Sequence, residues 1–506
     1  MAIHNNDGKP THILIEGDNF HSLTCLNYTH HGKIDVIYID PPYNTGNDDF
    51  VYRDKRFLEE YPDGSLVKAN HPLRHSAWLS FISRRLRMAR ELLTDKGVVF
   101  ISIDDNEQAH LKLLCDEIFG SNNFVANLVW KSKSGGANDS KYIAVDHEYV
   151  LCYGKKASNL QPFMDNRAEV TTSYNLEDEN GKYALDRLDK QSIRYSESLD
   201  YEIIGPDGQS YYPKHRNPER PNATWRWSKE TVSARYNELV FKNGCIYTKN
   251  YQKNENISRS LLYEERFGRT RTGKTELAAV DSNLIFSSPK PSKLISHLIN
   301  ITSSQKKDSL IILDFFAGSG TTLHATMQLN DEDGGKRQCI LCQLNEADIC
   351  REVTYERNRR VINGYINSRN EEVAGLGNSL KYYRTAFVGK NQPKAATDDD
   401  KLVLAKKAGC LLSLAENTLY ETEVTDYYQI FNDEKGRWTC IYFQEDYSRF
   451  EEFRKKVLAF DGKEKSVYVF CWTDGAEFAA EFEFEKNVTV KSIPQPILDI
   501  YKSLNA

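Results

Sequence analysis

The sequence predicts an α/β protein: a doubly wound, mostly parallel sheet, interrupted by an inserted module and followed by a small α+β segment. Three observations carry this expectation. Short β-branched runs alternate with amphipathic helices over residues 11–155, the same rhythm returns over 281–370, and residues 156–280 break it.

The elements follow in order. His12-Ile13-Leu14-Ile15, Asp35-Val36-Ile37-Tyr38-Ile39 and Val98-Val99-Phe100-Ile101-Ser102-Ile103 read as strands of a sheet buried on both faces. Apolar residues at 78, 79, 82, 86, 89, 92 and 93 make one helical stripe from Trp78 to Leu93. Strand–helix–strand order implies right-handed crossovers between parallel strands. Residues 156–280 are rich in Asn, Ser, Arg and Tyr, with turn clusters such as Gly205-Pro206-Asp207-Gly208. After a polar stretch at 391–400, a final segment over 395–506 contains Ser466-Val467-Tyr468-Val469-Phe470 and the alternating run Phe478 to Phe484, both expected as short strands. The expected domains are therefore 11–155, 156–280, 281–370 and 395–506.

Composition bounds the function. A chain of 506 residues exceeds one ordinary core. No run approaches the ~18 apolar residues of a membrane helix. Met1 to Asp7 has neither the basic end nor the apolar stretch of a signal peptide. The ten cysteines lack the dense spacing of a disulfide scaffold, which points to the reducing cytoplasm. Cys339 and Cys342 form a C-x-x-C, but inside an apolar run and without two further ligands, so core packing is expected and no metal site. Asp104 and Asp105 are expected to cap the following helix. The histidines show no ligand spacing. Net charge is −6, unevenly spread. Residues 205–280 hold 14 Lys/Arg against 8 Asp/Glu, and residues 395–506 hold 14 against 21. Only the basic middle could cover phosphates.

Two turns carry the chemistry. Asp40-Pro41-Pro42-Tyr43 directly follows a strand, at the edge where ligands bind in parallel sheets. The Asp40 carboxylate and the Pro41 carbonyl can accept both hydrogens of an amino group and draw its nitrogen toward tetrahedral geometry. The two prolines stiffen the loop, and Tyr43 offers a ring face to an unstacked base. The motif continues as Asn44-Thr45-Gly46. The second turn, Leu313-Asp314-Phe315-Phe316-Ala317-Gly318-Ser319-Gly320-Thr321-Thr322, also follows a strand. Gly318 and Gly320 permit close backbone approach to a ligand. Neither a third glycine nor a P-loop lysine follows, which favours a cofactor without phosphates. One strand later Glu346 stands where a carboxylate can hold a ribose.

Together these residues resemble the amino-methyltransferases of DNA, with the catalytic motif ahead of the cofactor motif as in their permuted β group. Ile15-Glu16-Gly17-Asp18-Asn19, Ile101 to Glu107 and Pro289-Lys290-Pro291 are similar, more narrowly, to the modification subunit of type III restriction–modification systems. The resemblance covers roughly residues 11–365 and, more faintly, the tail. It implies a circularly permuted seven-stranded methyltransferase sheet, S-adenosylmethionine as cofactor, double-stranded DNA as substrate with adenine N6 flipped out, a homodimer, and a restriction (helicase–nuclease) subunit as partner. It further implies that the loop from Phe316 to Thr321 meets the methionine moiety and Glu346 the ribose. Asp18 would approach the adenine ring and Lys290 the carboxylate of the cofactor. Here Asn345 precedes Glu346, where the family often has proline. The insert would read the target.

Within that insert, Trp225-Arg226-Trp227 could flank an unstacked base, or form a small core with exposed charge. Arg269, Arg271 and Lys274 suit phosphate contacts. They belong to Gly268-Arg269-Thr270-Arg271-Thr272-Gly273-Lys274-Thr275, which matches a P-loop pattern but follows Tyr263-Glu264-Glu265-Arg266 and not a buried strand, so the NTPase reading fails on context. Cytosine N4 methylation, a solitary modifier and a silent DNA-reading subunit remain open beside adenine methylation.

Overall fold

The computed structural model describes residues 2–5, 7–45, 72–135, 142–167, 173–189, 195–214, 223–252, 256–302, 309–388, 395–462, 464–472, 476–483 and 485–504. Gly46 and Phe484 of the motifs above lie outside them. The chain divides into two compact units, Met1–Phe163 with Arg259–Ala506, and Met164–Ser258.

The larger unit is built on nine strands. These are β1 (Thr11–Glu16), β2 (Ile34–Ile39), β3 (Leu93–Ile103), β4 (Phe124–Lys131), β5 (His147–Gly154), β6 (Leu261–Leu262), β7 (Ile311–Asp314), β8 (Gln338–Gln343) and β9 (Ser379–Arg384), in the order β6-β4-β5-β3-β2-β7-β8-β1-β9. Every pairing is parallel except those of β5 with β3 and β4. The expected seven strands become nine because Leu261–Leu262 and Ser379–Arg384 extend the two edges.

Alternate residues of each central strand face opposite cores, as a pleated backbone requires. Leu14, Val36, Tyr38, Phe100, Ile312 and Leu341 point to one side. Ile13, Ile37, Ile39, Val99, Leu313 and Ile340 point to the other. Helices α1 (Asn19–Thr29), α2 (Pro72–Leu92) and α3 (Gln108–Cys115) cover the second face, through Leu23, Trp78, Leu86 and Leu111. Helices α4 (Thr270–Val280), α5 (Ser292–Thr302), α6 (Thr321–Asp333) and α7 (Glu356–Asn363) cover the first. The sheet is therefore wound on both sides. Cys339 and Cys342 are wholly buried in β8.

The C-terminal segment forms a separate five-stranded sheet, β10 (Tyr420–Val424), β11 (Tyr428–Asn432), β12 (Arg437–Tyr442), β13 (Glu464–Phe470) and β14 (Val488–Ile493), in sequence order. Its first three strands are antiparallel and its last three parallel. It belongs to the larger compact unit: Tyr28 of α1 packs on its core of Ile441, Phe470, Ile493 and Ile497. The alternating phenylalanines correct the sequence expectation. Ala476–Ala480 is helical, and Phe478 packs inward against the core of Phe450 and Phe453. Tertiary burial outweighs a short period-two pattern.

The smaller unit carries a four-stranded antiparallel sheet of Leu239–Lys242, Cys245–Tyr251, Gly181–Arg187 and Leu176–Asp178. Its limits are narrower than the expected insert. Residues 259–280 lie in the larger unit, where β6 pairs with β4 and α4 packs by Leu277 and Val280.

Candidate active site

Four sequence-predicted positions converge at one edge because the strands that carry them are adjacent and parallel. In sheet order, β2 ends at Asp40, β7 at Asp314, β8 leads to Glu346 and β1 to Asp18. This is the carboxyl edge, outside which ligands bind in open, mostly parallel sheets.

At the end of β2, Lys290 Nζ lies 2.8 and 2.9 Å from the two oxygens of Asp40 and 2.8 Å from the Tyr43 hydroxyl. Glu148 Oε2 stands 3.2 Å from the same ammonium. Tyr43 donates to Asp40 at 2.7 Å and also reaches Glu148 at 3.1 Å. Burial opposes the charge on Lys290, but Asp40 and Glu148 together hold its pKa up at about 12. Burial, with Asp40 and Glu148 beside it, pushes the Tyr43 hydroxyl well above the usual tyrosine range, so it stays protonated. Trp78 Nε1 donates to the Pro42 carbonyl at 2.7 Å and fixes the loop from below. Pro41 is buried between these anchors.

The resemblance implies Lys290 beside a cofactor carboxylate; in the structure its ammonium is held by Asp40, Tyr43 and Glu148. Its place is set by Gly273, where a Cβ would overlap the Pro289 carbonyl and come within 2.9 Å of the Lys290 carbonyl carbon. Gly273 therefore lets α4 pass against the Pro289–Lys290 backbone. The P-loop-like run is a turn and a helix, with Arg271 and Lys274 on α4. Gly273→Ala should improve helix propensity and still destabilise the protein, by about 1–3 kcal/mol of overpacking. An unchanged midpoint in urea denaturation would contradict this.

Glu148 has no signal in the sequence. It stands near the start of β5, which runs antiparallel, so its first residues lie at the edge where the parallel strands end. Only that reversal brings it to the site, and strand direction is not legible in Asp146-His147-Glu148-Tyr149.

The second loop is tightly built. Asp314 accepts from the Phe316 amide at 3.0 Å and from Thr322 Oγ1 at 2.6 Å. Burial pushes its carboxyl up to about 7, although these bonds favour the carboxylate. Asp314 therefore shapes the loop from inside. Phe316 packs into the core against Phe81 and Phe315, and Thr321 holds its hydroxyl on buried Arg357, 2.7 Å away. Both side chains find partners inward, an apolar ring in the core and a helix-start hydroxyl on Arg357, which leaves the backbone of the loop as the part that a ligand could meet. Gly318 and Gly320 adopt left-handed φ values of 51° and 74°. The Gly318 amide donates to Gln343 Oε1 at 2.7 Å, a partner the sequence does not single out.

A cleft of about 380 Å³ opens past the ends of β1, β8 and β9, lined by Glu16, Gly17, Leu344, Asn345, Glu346, Arg384 and Thr385. The Glu346 side chain makes no hydrogen bond or ion pair with a described residue. Glu16 is different. Burial would raise its carboxyl, but Arg351 at 2.7 Å, Tyr382 and Arg384 hold it below the usual range. Asp18 is committed to capping α1, accepting from the Phe20 amide at 2.8 Å, with Arg85 3.4 Å away.

The expected DNA contacts divide between the two units. In the smaller one, Trp225 is 2% exposed and donates to the Tyr201 carbonyl, so it is a core residue. Arg226 is engaged by Asp186 and Thr248, and Arg235 lies 4.4 Å over the Trp227 ring. A small core with charge at its rim describes these three. In the larger unit, Arg269 donates to the carbonyls of Glu264, Gly268 and Tyr263 and closes its own turn. Arg271 and Lys274 are exposed on α4 and line a cleft of about 480 Å³ with Arg369, which sequence reading missed. At the turn leading into α3, Asp104 accepts from the Asn106 amide by its side chain and from the Gln108 amide by its carbonyl, a capping pattern, while Tyr149 donates to Asp105. No helix among the described residues is long and apolar enough to cross a membrane.

Residues 34–355 match the profile of the family described as DNA methylase. The StyLTI Mod subunit of a type III restriction–modification enzyme from Salmonella typhimurium is 36% identical over 67% of this chain and 54% of its own length. The EcoPI Mod subunit of Escherichia phage P1 is 36% identical over 66% of this chain and 58% of its own length. The type II methyltransferase M.KpnI of Klebsiella pneumoniae is 32% identical over 74% of this chain and 90% of its own. The chain thus spans a little over half the length of the two Mod subunits.

Proposed function

The chain belongs to the DNA methylase family, and from that premise we propose that it transfers a methyl group from S-adenosylmethionine to the N6 amino group of an adenine in double-stranded DNA. The observation that carries the proposal is the Asp40 carboxylate. It is fixed at the end of β2 by Lys290 and Tyr43 and lies one strand from the glycine loop after β7.

The residues at the edge fit such a cofactor: a glycine loop at the end of β7, and a cleft past the end of β8 where the Glu346 carboxylate can receive a ribose. Bound S-adenosylmethionine supplies an electrophilic methyl group on a sulfonium. The target base must leave the duplex, at a cost of a few kcal/mol, which stacking on Tyr43 would offset. Asp40 and the Pro41 carbonyl accept the two amine hydrogens and localise the nitrogen lone pair. Lys290 fixes the Asp40 carboxylate in place and stands between it and Glu148. The loop is rigid before substrate arrives, so little ordering remains at the reaction.

Several finer features rest on the same resemblance. They are a permuted methyltransferase order, target reading by the insert, a homodimer, and service as the modification subunit beside a helicase–nuclease restriction partner. Phosphates would lie along Arg271, Lys274 and Arg369, because these three cations face a shared cleft. Incubating unmodified DNA with the protein and S-adenosylmethionine, then sequencing its modified bases, should reveal N6-methyladenine at one short recurring site. N4-methylcytosine would replace adenine as substrate, and unmodified DNA would leave the silent reader in its place.

A further inference from the structure

Glu107 is wholly buried just ahead of α3, facing two histidines that the proposed reaction does not use. His75 Nδ1, from α2, lies 2.7 Å from Glu107 Oε1. His110 Nδ1, from the first turn of α3, lies 3.2 Å from Oε2. The two rings stack with centroids 4.5 Å apart, so both nitrogens present to one carboxylate. That second approach lacks hydrogen-bond geometry: among the described residues, the buried atoms Glu107 Oε2 and His110 Nδ1 have no hydrogen-bond partner. A buried carboxylate oxygen without a partner is costly. One donor atom from each of the three side chains lies within 4.8 Å of the others.

We propose that His75, Glu107 and His110 form a binding site for a zinc-class divalent cation, with both imidazole Nδ1 atoms and the Glu107 carboxylate as ligands. Zinc bonds of roughly 2.0–2.2 Å in a tetrahedral shell set neighbouring ligand atoms about 3.4 Å apart. To reach that spacing the observed 2.7 and 3.2 Å would open by about 0.7 and 0.2 Å, a shift that side-chain rotation can supply. Two nitrogens and one carboxylate select zinc, cobalt, nickel or copper over magnesium or calcium. The histidine side chains are 36% and 44% exposed, which gives an ion a path from solvent and leaves room for water as the fourth ligand.

The site also meets the catalytic loop. Asn44, next after Tyr43 and in the left-handed region at φ 56°, donates to Glu107 Oε1 at 2.6 Å. A cation on Glu107 would orient the acceptor that pins this turn, an outer-shell hydrogen bond of the kind that tunes metal sites. The role is positional, and no step of methyl transfer runs through the ion.

The test uses the full chain, stripped by a chelator and titrated with cobalt(II) alone at pH 7.5, then with zinc(II) alone. One equivalent of cobalt should bind per chain, develop visible d–d absorption and be displaced by zinc. Zinc should also raise the unfolding temperature, as any ligand of the folded state does. His110→Ala, at a half-exposed position, should fold normally, weaken binding by about tenfold or more and lose the thermal shift. His75→Gln should do the same. No stoichiometric cobalt binding, or binding by His110→Ala equal to that of the unmodified chain, would overturn the site and leave a simple histidine–carboxylate pair. Binding is read without DNA or S-adenosylmethionine, so this result is independent of the proposed reaction.

Discussion

Asp40→Ala is expected to lower methyl transfer by about three orders of magnitude, in line with the loss of one preorganised acceptor at a reacting centre. S-adenosylmethionine should still bind, because the glycine loop after β7 and the Glu346 cleft make no use of the Asp40 side chain. The expectation is sharpened by Lys290. Without Asp40 the ammonium keeps only Glu148 and the Tyr43 hydroxyl. A buried cation that loses one of two carboxylates destabilises its surroundings, so alanine could act through the loop as well as through chemistry. Asp40→Asn separates these effects: it preserves shape and one oxygen acceptor but removes the charge. Both variants should fail in a radiolabelled-methyl assay while retaining cofactor affinity by calorimetry. Transfer within tenfold of the unmodified chain in either variant would end Asp40's assigned role.

The parallel core was legible because strands buried on both faces need near-continuous apolar runs, and Ile34–Ile39 and Val98–Ile103, each broken by a single polar residue (Asp35, Ser102), are such runs. The two catalytic-edge turns were legible because proline and glycine are placed by backbone geometry, which the sequence prints directly. What escaped were partners set by tertiary direction. Glu148 reaches Asp40's neighbour only because β5 runs antiparallel. Lys290 reaches Asp40 across 250 residues of sequence, over a helix that Gly273 allows to approach. Trp225 and Trp227 could be read two ways, as a recognition surface or as a small core with exposed charge, and the core reading holds because a small unit with few apolar residues uses its tryptophans as core. Glu107 and His110 are three residues apart, but the set escaped because its third member, His75, comes from α2 and no spacing links it to them.

The glycine loop yields the second large effect. Gly320→Val should both destabilise the protein and abolish cofactor binding, whereas Gly318→Val should act more weakly on stability. At Gly320, φ is 74°, which costs an L-residue about 1–2 kcal/mol, and its Cβ would overlap the Asn358 amide and lie 3.1 Å from the Thr354 carbonyl. Asn358 is wholly buried and its amide donates to both the Gly320 and Thr354 carbonyls, so it cannot swing aside without losing them. Overpacking at such a site adds about 1–3 kcal/mol. At Gly318 the new Cβ meets the Phe286 ring at 2.9 Å, and that ring is only partly buried. A ring at the edge of the core can turn, so the remaining cost there is chiefly the left-handed backbone. The loop from Phe316 to Gly320 starts α6, and its shape is held from inside by Asp314, Gln343 and Asn358. Distortion at Gly320 therefore spreads to the amides that would face the cofactor. Thermal melting should rank the variants with Gly320→Val well below Gly318→Val, and calorimetry should find no S-adenosylmethionine binding to Gly320→Val. Equal melting temperatures for the two variants would show that Asn358 yields, and intact cofactor affinity in Gly320→Val would place the cofactor away from this loop.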